Sequence, residues 1–183
     1  MLSNKRANDE IKADRPTINE LKFIPKLPIS FFLENIRSVY NVGSIFRTAD
    51  AMGASKVFLS GYTCYPYRKD LSKTALGSDV SVDWEHNEDP IKLAKKIKAK
   101  NINLVLLEHT EFSESIYTVD WDFPLCIVVG NEVKGVSEEL IELCNKHVEI
   151  PMYGIKQSLN VGVAAGVIGY EMLRCYNKVY KKG

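Results

Sequence analysis

The stretch "LCIVVGNEVKGVSEELIELCNKHVEIPM", Leu125 to Met152, decides the fold class. It opens on an apolar run suited to a strand and turns through Gly130 and Gly135. It then continues into a helix, "SEELIELCNKH", with Ser137 at the N-cap position, and closes on a second strand, "VEIPM". The alternation extends in both directions. Upstream come "ISFFLEN" as a strand, "NVGSIFRTADAMG" as a helix, "KVFLSG" as a strand, "DPIKLAKKIKAK" as a helix and "INLVLLE" as a strand; downstream a long helix ends the chain. Strands alternating with helices predict an α/β fold, a parallel sheet flanked by helices on both faces. Residues 1–26, charged and polar up to "FIPKLP", read as an N-terminal tail or short helix leading into a single domain, 27–183. The longest irregular stretch runs from Tyr62 to about Ser78, more than a structural connection normally needs.

Composition bounds the function. With 45% apolar and 26% charged residues in 183, the chain is an ordinary globule with room for a sizeable core. A net charge of +1 leaves no overall electrostatic footprint for nucleic acid, so any RNA must meet a local basic patch. Cys64, Cys126, Cys144 and Cys175 are far apart, with no histidine at zinc-ligand spacing. They read as reduced thiols of a cytoplasmic protein, and no metal is expected. No segment has the length or apolarity of a signal peptide or membrane span.

Ligands of open parallel sheets sit beyond the carboxyl ends of the strands, which directs attention to the loops after Asn35, Gly61, Glu108, Gly130 and Met152. None carries a dinucleotide fingerprint or a P-loop. In the helix after the first loop, Val42, Ile45, Phe46, Ala49 and Met52 form a core stripe, and Arg47 falls almost opposite it. Asn41 stands where an N-cap belongs, and Gly43 leaves room for a close neighbour. On this pattern alone the simpler reading of Arg47 is a surface residue paired with Asp50. Glu132, between two glycines, could hold a ligand or a turn; Ser158 and Asn160 could serve a site or cap the last helix.

The ordered set N-x5-R-T-A-D-A-x-G, V-V-G-N-E-x-x-G-V-S and I-P-M-x5-S-L-N-V-x-V-A-A-x-x-x-x-Y-E resembles the three motifs of the SpoU, or TrmH, family of RNA 2′-O-ribose methyltransferases, of the SPOUT class. The similarity runs from about Ile29 to Arg174.

The resemblance implies a C-terminal deep trefoil knot, a homodimer, and S-adenosylmethionine bound among the knotted loops. It implies cofactor contacts at Leu107, Glu108, Gly130, Asn131, Gly135, Ile150, Met152 and Leu159, and catalytic roles for Arg47, Asn41, Glu132, Ser158 and Asn160. Val133 departs from the glycine that many members carry after the motif-two glutamate, so a left-handed backbone is not expected there. The resemblance also offers a reason for Gly162, Gly166 and Gly169 in the last helix, each costing about 1 kcal/mol relative to alanine. Close packing against the knotted loops and a partner subunit would need a bare backbone along Gly162, Ala165, Gly166 and Gly169.

The RNA itself, tRNA or rRNA, is expected to meet Arg47 and the loop "YTCYPYRKDLSKTALGS", where Tyr62, Tyr65 and Tyr67 stand beside Arg68, Lys69 and Lys73. The lysines of "IKLAKKIKAK" read as a solvated face, and His86, His109 and His147 as scattered residues without acid–base partners. A non-catalytic RNA-binding or assembly protein of the same fold is the alternative reading.

Overall fold

The computed structural model describes residues 5–66 and 69–180. Tyr67, Arg68 and the side chain of Lys69, expected at the RNA, lie outside the described residues. Two short, exposed helices come first, α1 (Asn8–Ala13) and α2 (Ile18–Leu21). A capping box closes α2, with the Thr17 hydroxyl accepting from the Glu20 N–H at 3.3 Å and Glu20 Oε2 accepting from the Thr17 N–H at 2.7 Å.

The sheet then builds through β1 (Leu27–Glu34), α3 (Val39–Met52), β2 (Ala54–Ser60), α4 (Lys69–Ala75), α5 (Ser78–Ser81), β3 (Trp84–Asn87), α6 (Pro90–Lys98) and β4 (Asn103–Leu107). It is completed by β5 (Glu114–Ser115), β6 (Leu125–Val129), α7 (Glu138–Ile141), β7 (Lys146–Glu149) and α8 (Val161–Tyr180). Seven strands lie in the order β3-β2-β1-β6-β4-β7-β5, and every pairing is parallel. Along β1, Ile29, Phe31 and Leu33 pack with Val42, Ile45 and Phe46 of α3 and with Ala165 and Ile168 of α8. Phe32 points to the opposite face and packs with Leu93 and Ile97 of α6 and Leu140 of α7. Both faces of the central strands are therefore buried, which is why they read as unbroken apolar runs rather than alternating ones.

Three local expectations change, and the one for Gly43 is met. The 62–78 stretch is not irregular throughout, because α4 and α5 fold onto α3. A Cβ at Gly43 would come within 2.7 Å of Thr74 Cβ, so the close neighbour that Gly43 admits is helix α4 of the same chain. Helix α3 starts at Val39 and is capped by Ser38, whose Oγ accepts from the Asn41 N–H at 3.3 Å; Asn41 sits inside the first turn and its side chain is free for other partners. Helix α7 stops after four residues, because Asn145 already pairs with β4, its N–H donating to the Leu104 carbonyl at 2.8 Å and its Oδ1 accepting from the Leu104 N–H at 3.0 Å.

The glycines of α8 also find their partners within the chain. A Cβ at Gly169 would meet Met52 Sδ and Phe31 Cζ, each at 3.1 Å, and one at Gly162 would meet Ser44 Cβ at 3.2 Å. Gly166 is looser, with only Thr48 Oγ1 at 3.9 Å. The bare backbone serves the close packing of α8 on α3 and β1.

Candidate active site

Beyond the carboxyl ends of β4, β6 and β7 lies a cavity of about 550 Å³, within the usual size range of small-molecule sites. Leu107, Glu108 and His109 line it from the end of β4, Val129 to Gly135 from β6 and its turn, and Glu149, Ile150 and Met152 from the end of β7. Ser158 to Val161 and Ala164, leading into and forming the start of α8, complete the wall. All eight residues expected to contact a cofactor are here: Leu107, Glu108, Gly130, Asn131, Gly135, Ile150, Met152 and Leu159.

The turn after β6 is built from backbone crossing backbone. A Cβ at Gly130 would stand 2.5 Å from the Gly135 carbonyl oxygen, which no side chain could survive. Asn131 and Gly135 exchange both backbone hydrogen bonds, N to O at 3.0 Å and 2.9 Å. Gly135 takes the left-handed conformation, φ 70°, that closes this small loop, and Val133 is not among the positive-φ residues. Asn131 holds the loop from inside: its Oδ1 accepts from the Val133 and Lys134 N–H groups, each at 2.9 Å, while its Nδ2 donates to the Asn35 carbonyl at 2.9 Å and to the Tyr62 hydroxyl at 2.8 Å.

Three segments far apart in sequence are joined by one chain of side-chain hydrogen bonds. Glu132 accepts from the Arg37 N–H at 3.0 Å, the Ser38 N–H at 3.1 Å and Asn41 Nδ2 at 2.8 Å. Asn41 Oδ1 accepts from Asn160 Nδ2 at 3.0 Å, and Asn160 Oδ1 in turn accepts from the Gly162 N–H at 2.9 Å and the Val163 N–H at 3.3 Å, capping α8. Partial burial pushes the Glu132 carboxyl up, but the hydrogen bonds it accepts outweigh that, and its pKa lies below the ordinary glutamate value. Glu132 is therefore an ionised clasp that fixes the loop after β1 to the loop after β6. Asn160 is both a cap and a member of the site. Glu132, Ser158 and Asn160 line the cavity, and Asn41 stands behind them.

Arg47 is different. It is exposed on α3, outside the cavity lining, and among the described residues it makes no hydrogen bond or ion pair. It is not paired with Asp50, whose Oδ1 accepts instead from the Ser81 hydroxyl at 2.5 Å. Lys73 is exposed in the last turn of α4, which packs on the helix that carries Arg47.

Several residues have partners or positions that the sequence reading did not give them. Ser137 does occupy the N-cap of α7, but its hydroxyl turns to the buried Glu34, at 2.5 Å, and its N–H donates to the same carboxylate at 2.8 Å. His109 at the cavity wall is not without a partner, since its Nδ1 lies 3.0 Å from Glu149 Oε2, another lining residue. Lys134 also lines the wall. Strands β4 and β7 are neighbours in the sheet, and no linear spacing reveals that their ends converge. Burial pushes the Cys126 and Cys144 thiols up to about 12, so neither is a nucleophile at neutral pH. Among the described residues no group of side chains could hold a metal ion, and no helix is long and apolar enough to cross a membrane.

The model of the SpoU rRNA Methylase family matches residues 28–170. The chain belongs to this family. The SpoU match runs from β1 well into α8 and so contains every residue of the cavity and of the clasp. A relative in Aquifex aeolicus, a tRNA (guanosine(18)-2′-O)-methyltransferase, is 35% identical over 144 residues, 78% of this chain and 67% of that protein. Among solved structures, the A. aeolicus TrmH/SpoU tRNA modifying enzyme superposes with a TM-score of 0.79 at 30% identity, covering 88% of this chain and 83% of that one. The SpoU methyltransferase AviRb from Streptomyces viridochromogenes, solved in complex with the cofactor AdoMet, gives 0.75 at 28% identity over 86% of this chain and 60% of that one. The chain thus spans two thirds or less of the length of some SpoU relatives.

Proposed function

We propose that this chain is an S-adenosylmethionine-dependent RNA methyltransferase that transfers a methyl group to a ribose 2′-hydroxyl of tRNA or rRNA. One observation carries the reading: the second and third motif segments line a cavity that holds all eight residues expected at the cofactor, and the Glu132–Asn41–Asn160 hydrogen bonds tie the first motif to it. The residues fit that ligand. Leu107, Val129, Ile150 and Leu159 offer an apolar slot for an adenine, while Glu108 and Glu149 supply carboxylates for hydroxyl and cationic groups. Gly130 and Gly135 keep the turn that walls the cavity tight. When bound, the cofactor supplies an electrophilic methyl group on a sulfonium.

The work left to the protein is to place a 2′-hydroxyl in line with that methyl and to manage its proton. Glu132 is committed to three hydrogen bonds and acts by holding the loops rather than by taking a proton. Arg47, a guanidinium with five donors and no acceptor, is no general base. It grips an RNA phosphate with its planar fork and polarises the neighbouring hydroxyl. Ser158, which lines the cavity beside Asn160, contacts the target nucleotide. Lys73, with Arg68 and Lys69, adds charge for the RNA backbone.

A trefoil knot in the C-terminal part, a homodimer and a cytoplasmic location belong to the same proposal. The dimer has support in exposed apolar side chains beside the cavity, with Val133 78%, Tyr153 96%, Ile155 100% and Val163 53% accessible in the single chain. The deciding experiment is mass spectrometry of nucleosides from tRNA and from rRNA after incubation with the protein and isotope-labelled S-adenosylmethionine. Labelled 2′-O-methylnucleosides are expected. RNA that binds tightly and acquires no label in either pool would favour the non-catalytic alternative.

A further inference from the structure

A second cleft, of about 370 Å³, opens at the carboxyl ends of β2 and β3 and is lined by Gly61, Tyr62, Tyr65, His86 and Glu88 among others. Its aromatic wall is assembled rather than incidental. Tyr65 lies against the edge strand β3, with its ring centroid 4.3 Å from that of His86 and 6.1 Å from that of Trp84, and stays 41% exposed. His86 Nε2 is 3.1 Å from the Gly61 carbonyl, an acceptor, so the neutral ring carries its hydrogen on Nε2. Tyr62, 61% exposed, is fixed at both ends: its N–H donates to Asn35 Oδ1 at 3.2 Å and its hydroxyl accepts from Asn131 Nδ2 at 2.8 Å.

Two held, exposed tyrosines suit a stacked nucleobase, since every base offers a π-face and aromatic stacking is the common currency of unpaired-RNA recognition. The carboxylate of Glu88 decides which part of a nucleotide faces the cleft. It repels a phosphate, and its two oxygens match two adjacent donors. Guanine is the base whose Watson–Crick edge presents such a pair, N1–H beside the exocyclic amino group, whereas adenine, cytosine and uracil each interleave donors with acceptors. We infer that this cleft binds an unpaired guanine of the RNA, stacked on Tyr65 with its Watson–Crick edge on Glu88. The inference rests on the RNA-methyltransferase reading above. It places base recognition one side chain from the cofactor cavity, because Asn131, which holds the Tyr62 hydroxyl, lines that cavity.

The test is a nuclear magnetic resonance titration of the isotope-labelled protein with guanosine, adenosine and uridine 5′-monophosphates. Guanosine monophosphate is expected to move the amides of Gly61 to Tyr65 and His86 to Glu88, with an affinity at least about tenfold above the other two nucleotides. Glu88→Gln, which replaces one acceptor by a donor, should erase that preference, and Tyr65→Ala should weaken all three nucleotides by about tenfold. The amide spectrum of each variant reports whether it has folded. Unmoved cleft amides at millimolar guanosine monophosphate, shifts confined to the cofactor cavity, or an undiminished preference in Glu88→Gln would overturn the inference. A parallel methyl-transfer assay separates the two ideas. Transfer to RNA without nucleotide binding in the cleft sinks the cleft alone, and guanine binding without any transfer sinks the enzymatic reading alone.

Discussion

The cofactor cavity and the outer face of α3 differ in how complete they are. Around the cavity the polar side chains are spent on one another: Glu132 accepts three hydrogen bonds, Asn131 donates two and accepts two, and Asn160 caps α8 while holding Asn41. On α3, less than two turns from Asn41, Arg47 is exposed and has no partner among the described residues. The difference teaches a division of labour. One half of the site is tied together within the chain, and in the proposed function the other presents a charge for the substrate.

The largest effect is expected where the preformed half has no freedom. Gly130→Ala would drive a methyl into the Gly135 carbonyl, and should abolish cofactor binding by calorimetry while costing about 2–3 kcal/mol in denaturant unfolding. Next comes the unpaired half. Arg47→Lys keeps the charge and loses the fork, and should lower turnover by about a hundredfold with stability unchanged within about 0.5 kcal/mol. A lysine variant with nearly full activity would break the comparison, since the charge alone would then suffice.

Smaller effects sharpen it. Asn160→Ala removes a cap and the bond to Asn41, and should cost about 1 kcal/mol of stability with a weakened cofactor affinity. Glu132→Gln should matter in a pH-dependent way. The folded pKa of Glu132 is lowered, so the native state binds fewer protons than the unfolded chain across that interval, and its contribution is fully present above the unfolded value of 4.5. That contribution is lost as pH falls through the folded value. Unfolding curves of the parent and of Glu132→Gln should therefore differ near neutral pH and converge in acid.

The legible part of this molecule was the part written in local pattern. The strand at Leu125–Val129 and the two glycines after it announced the sheet and the cavity turn, and the second and third motifs named residues that line the cavity. What the sequence withheld depends on convergence. His109 and Glu149 meet because β4 and β7 lie side by side, and Ser137 turns from its helix to Glu34 because β1 ends beneath it. The glycines of α8 signalled close approach correctly, but the close neighbours the structure reveals, Ser44, Met52 and Phe31, belong to the same chain. Asn41 resembled a cap because capping residues and site residues are chemically alike. Only the geometry assigns the cap to Ser38 and frees Asn41 for Glu132 and Asn160.

The division between the two halves is tested most directly by titrating S-adenosylmethionine into Arg47→Ala calorimetrically and assaying the same preparation for methyl transfer to RNA. The account predicts cofactor affinity within about twofold of the parent, with transfer reduced by at least about a hundredfold. An Arg47→Ala protein that no longer binds the cofactor, or one that binds it and methylates at the parental rate, would contradict it.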